Sequence, residues 1–298
     1  MVFVAQSNGP QLNKRQLIVL ALLLSLASGL SAQRDDFLGT SHLVLSGGAM
    51  NYIGDLNNQS ALSIPDPAFG VGLHTRFNNR LSMRYEAAYG GVHSSDCIVR
   101  RNLSFRSKII EASVLGEFNF WNFGVGATDK NWVFYIYGGL GVFYYDPMAS
   151  YTDADGALQW ARLQPLHTEG QGSLEYPGRK PYKLVQAMLP FGVGMHWRLN
   201  KTFMLSVEYG FRKTWTDYLD DVSTTYVGAD VLGQTASDPE LAVRLADRSS
   251  EVVDGYVNAA GIKRGDDSLD DWYAYLHLSV GISLETLLGW TRSKRCKL

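Results

Sequence analysis

The chain lacks the marks of several large classes. Two cysteines in 298 residues, Cys97 and Cys296, are too few for a disulfide framework. Beyond the N-terminal stretch, no apolar run reaches the roughly 18 residues a membrane helix needs. A net charge of −2 gives no footprint for nucleic acid. No H-E-x-x-H, G-x-S-x-G, P-loop or C-x-x-C pattern occurs. The histidines at 42, 74, 93, 167, 196 and 277 are scattered without ligand spacing. These absences predict a protein with no catalytic residues, no cofactor and no metal. The nearest approach to a catalytic group is His93 with Ser94, Ser95 and Asp96, which reads better as a plain loop.

What the chain does have is alternation, clearest in 189–226. Leu189, Phe191, Val193, Met195 and Trp197 alternate with Pro190, Gly192, Gly194 and His196. After a tight turn at Leu199, Asn200 and Lys201, the residues Phe203, Leu205, Val207, Tyr209 and Phe211 alternate with Met204, Ser206, Glu208 and Gly210. Period two over about ten residues predicts a strand with one apolar face. That length crosses a bilayer when tilted by about 45°. The opposite face is small, with an isolated charge, as a narrow barrel lumen requires; a water-facing sheet would carry several Lys and Glu.

The same pattern predicts strands over 42–53, 68–77, 81–92, 103–120, 132–144 and 272–284, the fifth apolar and glycine-rich on both faces, so that its orientation stays open. The total is eight. Connections after the second, fourth and sixth strands are short. Those after the odd strands are longer, with 145–184 and 213–271 the longest. This order predicts an all-β protein, an eight-stranded antiparallel transmembrane β-barrel with short periplasmic turns and long extracellular loops. Backbone groups in lipid must all be paired, so the sheet must close. Aromatics near strand ends, such as Phe77, Tyr89, Trp121, Trp132, Trp197 and Trp272, fit interfacial girdles.

Three divisions follow. Residues 1–32 read as a signal peptide: Lys14 and Arg15 precede a short apolar core, and Ser31-Ala32 precede the expected cleavage point. Residues 33–284 form the barrel. Residues 285–298 are a basic tail whose Arg292, Lys294, Arg295 and Lys297 read either as a disordered end or as a periplasmic docking handle for an acidic partner. Both termini are then periplasmic, in an outer membrane.

Charged residues on the predicted inner face are Arg76, Arg84, Glu86, Glu111, Glu117 and Glu208. In a lumen filled by side chains they must pair, and the expectation is an ion-pair plug. Asp217, Asp220 and Asp221, with Asp266, Asp267, Asp270 and Asp271, are expected to make a solvated acidic outer loop. Ca²⁺ or a divalent ion shared with lipopolysaccharide phosphate is the alternative there, although the spacing is not that of an EF-hand.

Several segments together carry a resemblance: RRNLSFRSKIIEASVLGEFNFW (100–121), YIYGGLGVFYYDP (135–147), LPFGVGMHW (189–197) and MLSVEYGFRKTWTDYLDDVSTTY (204–226). FRKTWTDYLDDVS is the most specific of these. The chain resembles the PorG-type outer-membrane proteins of the type IX secretion system from about residue 43 to 284, with 230–265 the least familiar part. The resemblance implies a non-enzymatic barrel that associates with the periplasmic ring of PorK and PorN and is embedded among outer-membrane lipid and lipopolysaccharide. A stand-alone barrel of the OmpA or OmpW sort is the other expectation, and an outer-membrane lipid hydrolase or protease a third.

Overall fold

The computed structural model describes residues 41–56, 65–96, 98, 100–123 and 130–288. The signal-peptide assignment, the four basic residues of the tail and both cysteines lie outside the described residues. Among them are nine strands: β1 (Ser41–Ile53), β2 (Asp66–Arg76), β3 (Leu81–Ser95), β4 (Ser104–Asn119), β5 (Trp132–Thr152), β6 (Leu158–Arg162), β7 (Val185–Arg198), β8 (Phe203–Thr214) and β9 (Trp272–Ser283). Every neighbouring pair is antiparallel, and the order β4-β3-β2-β1-β9-β8-β7-β5 closes through β4–β5 pairing. The result is a closed eight-stranded barrel. It buries its own sheet edges, as the absence of water in a bilayer demands.

Alternation sets the two faces. Every barrel strand puts large apolar side chains outward, among them Leu45, Phe69, Tyr89, Ile110, Leu140, Val193, Val207 and Leu278, with Leu140 and Leu278 more than 65% exposed. A water-soluble surface does not carry so continuous an apolar belt; a lipid-facing one does. No helix of the described residues is long and apolar enough to cross a membrane.

At one end the connections are 77–80, 120–131 and 199–202. The two shortest share one device. Asn78 Oδ1 accepts hydrogen bonds from the amides of Arg80 and Leu81, both at 2.8 Å. Asn200 Oδ1 does the same for Thr202 and Phe203 at 2.8 and 2.9 Å. Such side-chain turns are why asparagine is favoured there. Trp121, Trp132 and Phe134 pack edge to face beside them, ring centres 4.7–5.9 Å apart, with the Lys130 ammonium over both indoles. This is the expected chemistry of a headgroup-level belt.

At the other end the long connections fold into a cap, which differs from the loops expected there. β5 does not stop at residue 144. It continues to Thr152 and turns through Gly156 (φ +82°) into β6, with Asp153 Oδ1 accepting from the amides of Asp155 and Ala157. The sequence signal was lost there because β5 leaves the bilayer and its outward residues become polar. Two short helices follow β8, α1 (Ala229–Thr235) and α2 (Pro239–Ala246), the second capped by Asp238, whose side chain accepts from the Leu241 amide. Leu163, Leu166, Leu219, Leu232 and Leu245 join the upper lumen residues Met50, Phe105 and Tyr145 in one apolar core. The cap is therefore continuous with the barrel interior.

The orientation of β5, open in the sequence, is settled by its neighbours. Val133, Tyr135, Tyr137, Phe143 and Tyr145 point inward. Room for the tyrosines comes from β7 and β8: a Cβ on Gly194 would fall within the Tyr135 ring, and one on Gly210 against the Tyr137 hydroxyl.

Candidate functional site

The lumen holds two linked charge clusters. In the half nearer the cap, Arg212 on β8 meets Glu111 on β4, its Nη2 3.1 Å from Oε1. Tyr273 on β9 donates to the other oxygen of Glu111 at 2.6 Å. Arg212 is fully buried and lies one residue beyond the alternation that ends at Phe211, outside the inner-face charges expected from the sequence. One more step of the same alternation reaches it.

In the other half, Arg84 on β3 is the hub. Its Nε lies 3.0 Å from Glu86, its Nη1 3.4 Å from Glu117 and its Nη2 2.6 Å from Glu208. Tyr135 donates to Glu208 at 2.6 Å, and the His277 ring lies 3.7 Å from the same carboxylate. Arg76 stands lower, donating to the Phe123 carbonyl at 3.0 Å with its guanidinium over the Phe123 ring. Charges so buried persist only when paired. Among the described residues, tyrosines, histidines and ion pairs fill the centre, as the width of an eight-stranded barrel dictates.

Nearer the short turns, His74 on β2, Glu117 on β4 and His196 on β7 converge. His74 Nε2 is 2.9 Å and His196 Nε2 3.3 Å from Glu117 Oε2. All three are buried, and one ligand atom from each lies within 4.8 Å of the others. Histidine spacing in the chain gives no hint of this, since the residues come from three strands. The available signal was positional: each lies on an inner face a few residues from a short turn, and so at one level of the barrel.

The acidic segment differs from the solvated loop expected of it. Asp220, Asp221 and Asp271 are buried and Asp217 is half-buried; only Asp267 and Asp270 stay fully on the surface. The reason is partners the linear reading did not supply. Arg264, itself buried, lies 2.9 Å from Glu169 and also faces Asp221. Glu169 takes the amides of Ser223 and Thr224, each at 2.9 Å. Tyr182 and Thr168 donate to Asp221. Tyr52 Oη sits 2.6 Å from Asp220 Oδ2 and 2.7 Å from Asp271 Oδ1. One hydroxyl hydrogen serves one of those contacts, so the other needs a carboxyl in its acid form. Burial accordingly pushes Asp217 and Asp220 up to about 8 and Asp221 to about 6, and Asp271 rises through burial and the nearby Asp220. Among the described residues, no three carboxylates of this segment converge as ligands.

His93 and Ser94 point to opposite faces of β3. His93 contacts Asp66 at 2.6 Å, whereas the Ser94 hydroxyl donates to the Leu56 carbonyl. They do not form a catalytic pair.

A family model described as a domain of unknown function (DUF6089) matches residues 14–157. Three similar solved structures are outer-membrane or surface proteins. Ail, the attachment invasion locus protein of Yersinia pestis, in complex with a heparin analogue, has 9% identity and a TM-score of 0.38. Neisserial surface protein A has 10% identity and a TM-score of 0.36. The outer membrane protein OprG from Pseudomonas aeruginosa has 13% identity and a TM-score of 0.35. In each case the match covers 82% of this chain and 97% of the other. No curated protein matches the chain. The barrel itself is established by the strand pairing above.

Proposed function

We propose that this chain is a non-enzymatic outer-membrane component of the type IX protein secretion machinery, associating with a periplasmic ring of the PorK and PorN kind. The observation that carries the reading is the doubly closed barrel. Its lumen is filled by paired charges and aromatics, and the end opposite the short turns is covered by a folded cap. A barrel whose described lumen is filled by side chains works through its rims and outer face. The resemblance to PorG-type proteins, strongest in FRKTWTDYLDDVS, supplies the machinery.

In this reading the short turns and both termini face the periplasm, and Arg292, Lys294, Arg295 and Lys297 in the tail contact an acidic ring surface. On the outer face Arg106 and Lys108 stand above the apolar belt, with Arg162 paired to Asp146 beside them. They suit lipopolysaccharide phosphates. The second reading, a stand-alone OmpA/OmpW-like structural or adhesion barrel, draws support from the cap, which exposes Leu174, Val257 and Leu269.

The test is affinity purification of the tagged chain from outer membranes in mild detergent. Ring proteins should co-purify, and deletion of residues 289–298 should release them while the barrel still inserts. Wild-type protein recovered without ring proteins would favour the stand-alone reading.

A further inference from the structure

The His74, Glu117 and His196 cluster brings three ligand-capable side chains from three strands to one point in the lumen. Both imidazole Nε2 atoms aim at the same carboxylate oxygen, at 2.9 and 3.3 Å. Tetrahedral zinc with nitrogen and oxygen ligands at about 2.0–2.2 Å sets neighbouring ligand atoms about 3.3 Å apart. The observed spacings are close to those edges. Two imidazoles and one carboxylate form a ligand set used by zinc sites that keep one position open.

The surroundings orient the set. His196 Nδ1 is 2.7 Å from the Ser206 hydroxyl, which leaves Nε2 as the inward-facing nitrogen. Metal-bound histidines characteristically use their second nitrogen in this way. The His196 ring is fixed by stacking on Tyr135, centres 4.0 Å apart and planes 13° apart, and Phe123 covers its other side. His74 Nδ1 is buried without a partner, so His74 gains its best contact through Nε2.

Charge points the same way. Around Arg84 stand three buried carboxylates, Glu86, Glu117 and Glu208, whereas Glu111 is matched by Arg212. Three carboxylates there share the one guanidinium of Arg84, and a divalent ion on Glu117 adds positive charge among them.

We propose that His74, Glu117 and His196 bind a single divalent metal ion of the zinc class, which ties β2, β4 and β7 together across the lumen. This inference does not rest on the ring reading, and its test does not involve the ring. Full-length mature protein, purified in detergent and stripped with chelator, should take up one Zn²⁺ per chain. It should also show the absorption bands of four-coordinate Co²⁺ when loaded with cobalt, and the metal should raise its unfolding temperature. Glu117→Gln and His196→Gln should abolish uptake, and His93→Ala, on the outer face, should keep it. Ser206→Ala, which removes a positioning contact, should weaken binding by about 10- to 100-fold. Folding of each variant is read from its heat-shifted gel mobility. No zinc on folded wild-type protein, or one zinc retained by folded Glu117→Gln and His196→Gln, would overturn the proposal. Should both variants misfold, the cobalt spectrum of the wild type decides, because six-coordinate cobalt would refute a buried three-ligand site.

Discussion

Replacing Arg84 by methionine keeps most of the side-chain length and removes the charge on which the lower lumen depends. Glu86, Glu117 and Glu208 each lie within 3.4 Å of the guanidinium, and none is more than 5% exposed. Breaking a buried pair in this way costs about 3–5 kcal/mol. An independent route gives a similar figure. The cheapest relief is for one orphaned glutamate to take up a proton, and a carboxyl of ordinary pKa near 4.3 costs about 3.7 kcal/mol to protonate at pH 7. At pH 5 the same step costs only about 1 kcal/mol. Urea unfolding of detergent-solubilised protein, followed by tryptophan fluorescence, should therefore show a deficit of about 3–5 kcal/mol at pH 7 that shrinks to about 1–2 kcal/mol at pH 5. Lys201→Ala, in the exposed β7–β8 turn, should stay within about 0.5 kcal/mol of wild type at both pH values. Adding Glu208→Gln to Arg84→Met should recover part of the loss, since the two residues touch. The reasoning is refuted by equal effects of the Arg84 and Lys201 substitutions, or by an Arg84 deficit that does not change with pH.

Two further outcomes are expected. The cap should be firmest in acid: Asp217 and Asp220 rise from 3.8 to about 8 in the fold, so their acid forms stabilise it fully below pH 3.8, and that contribution is lost as pH climbs through about 8. Proteolysis of the cap on intact cells, normalised to an unfolded substrate, should accelerate from pH 5 to pH 9; faster cleavage at pH 5 would contradict the assignment. Gly194→Val should drive the Tyr135 ring from its place and separate it from Glu208, costing about 1–3 kcal/mol as overpacking does; unchanged urea stability would mean the wall is less tight than described.

The barrel was legible because a lipid-facing strand writes its environment into every second residue. Phe69, Val71 and Leu73 against Gly70, Gly72 and His74 need no further context. The alternation failed at Arg212, one residue past the predicted strand end, and along 145–152, where β5 leaves the lipid and apolar residues no longer mark the outside. The acidic segment departs from expectation for a different reason. TDYLDD is hydrophilic by composition, and only distant residues, Arg264, Glu169 and Tyr52, turn it into an interior. The histidine cluster is of the same kind. His74 and His196 are more than a hundred positions apart in the chain, and the strand register alone brings them to a shared carboxylate.

The Tyr52 contact also bears on how the molecule is assembled. Tyr52 belongs to β1, the first strand, and Asp271 immediately precedes β9, the last; in register Tyr52 stands opposite Tyr273. β1 and β9 form the seam where the two ends of the chain meet, the most non-local pairing in the sheet and the most expensive to close entropically. The hydroxyl that joins Asp220 to Asp271 can reach them only after that seam has zipped. The cap is thus a read-out of completed insertion: an unclosed barrel leaves its buried carboxylates without their proton partner and its loop core open, and so presents a protease-sensitive surface that a finished molecule does not have.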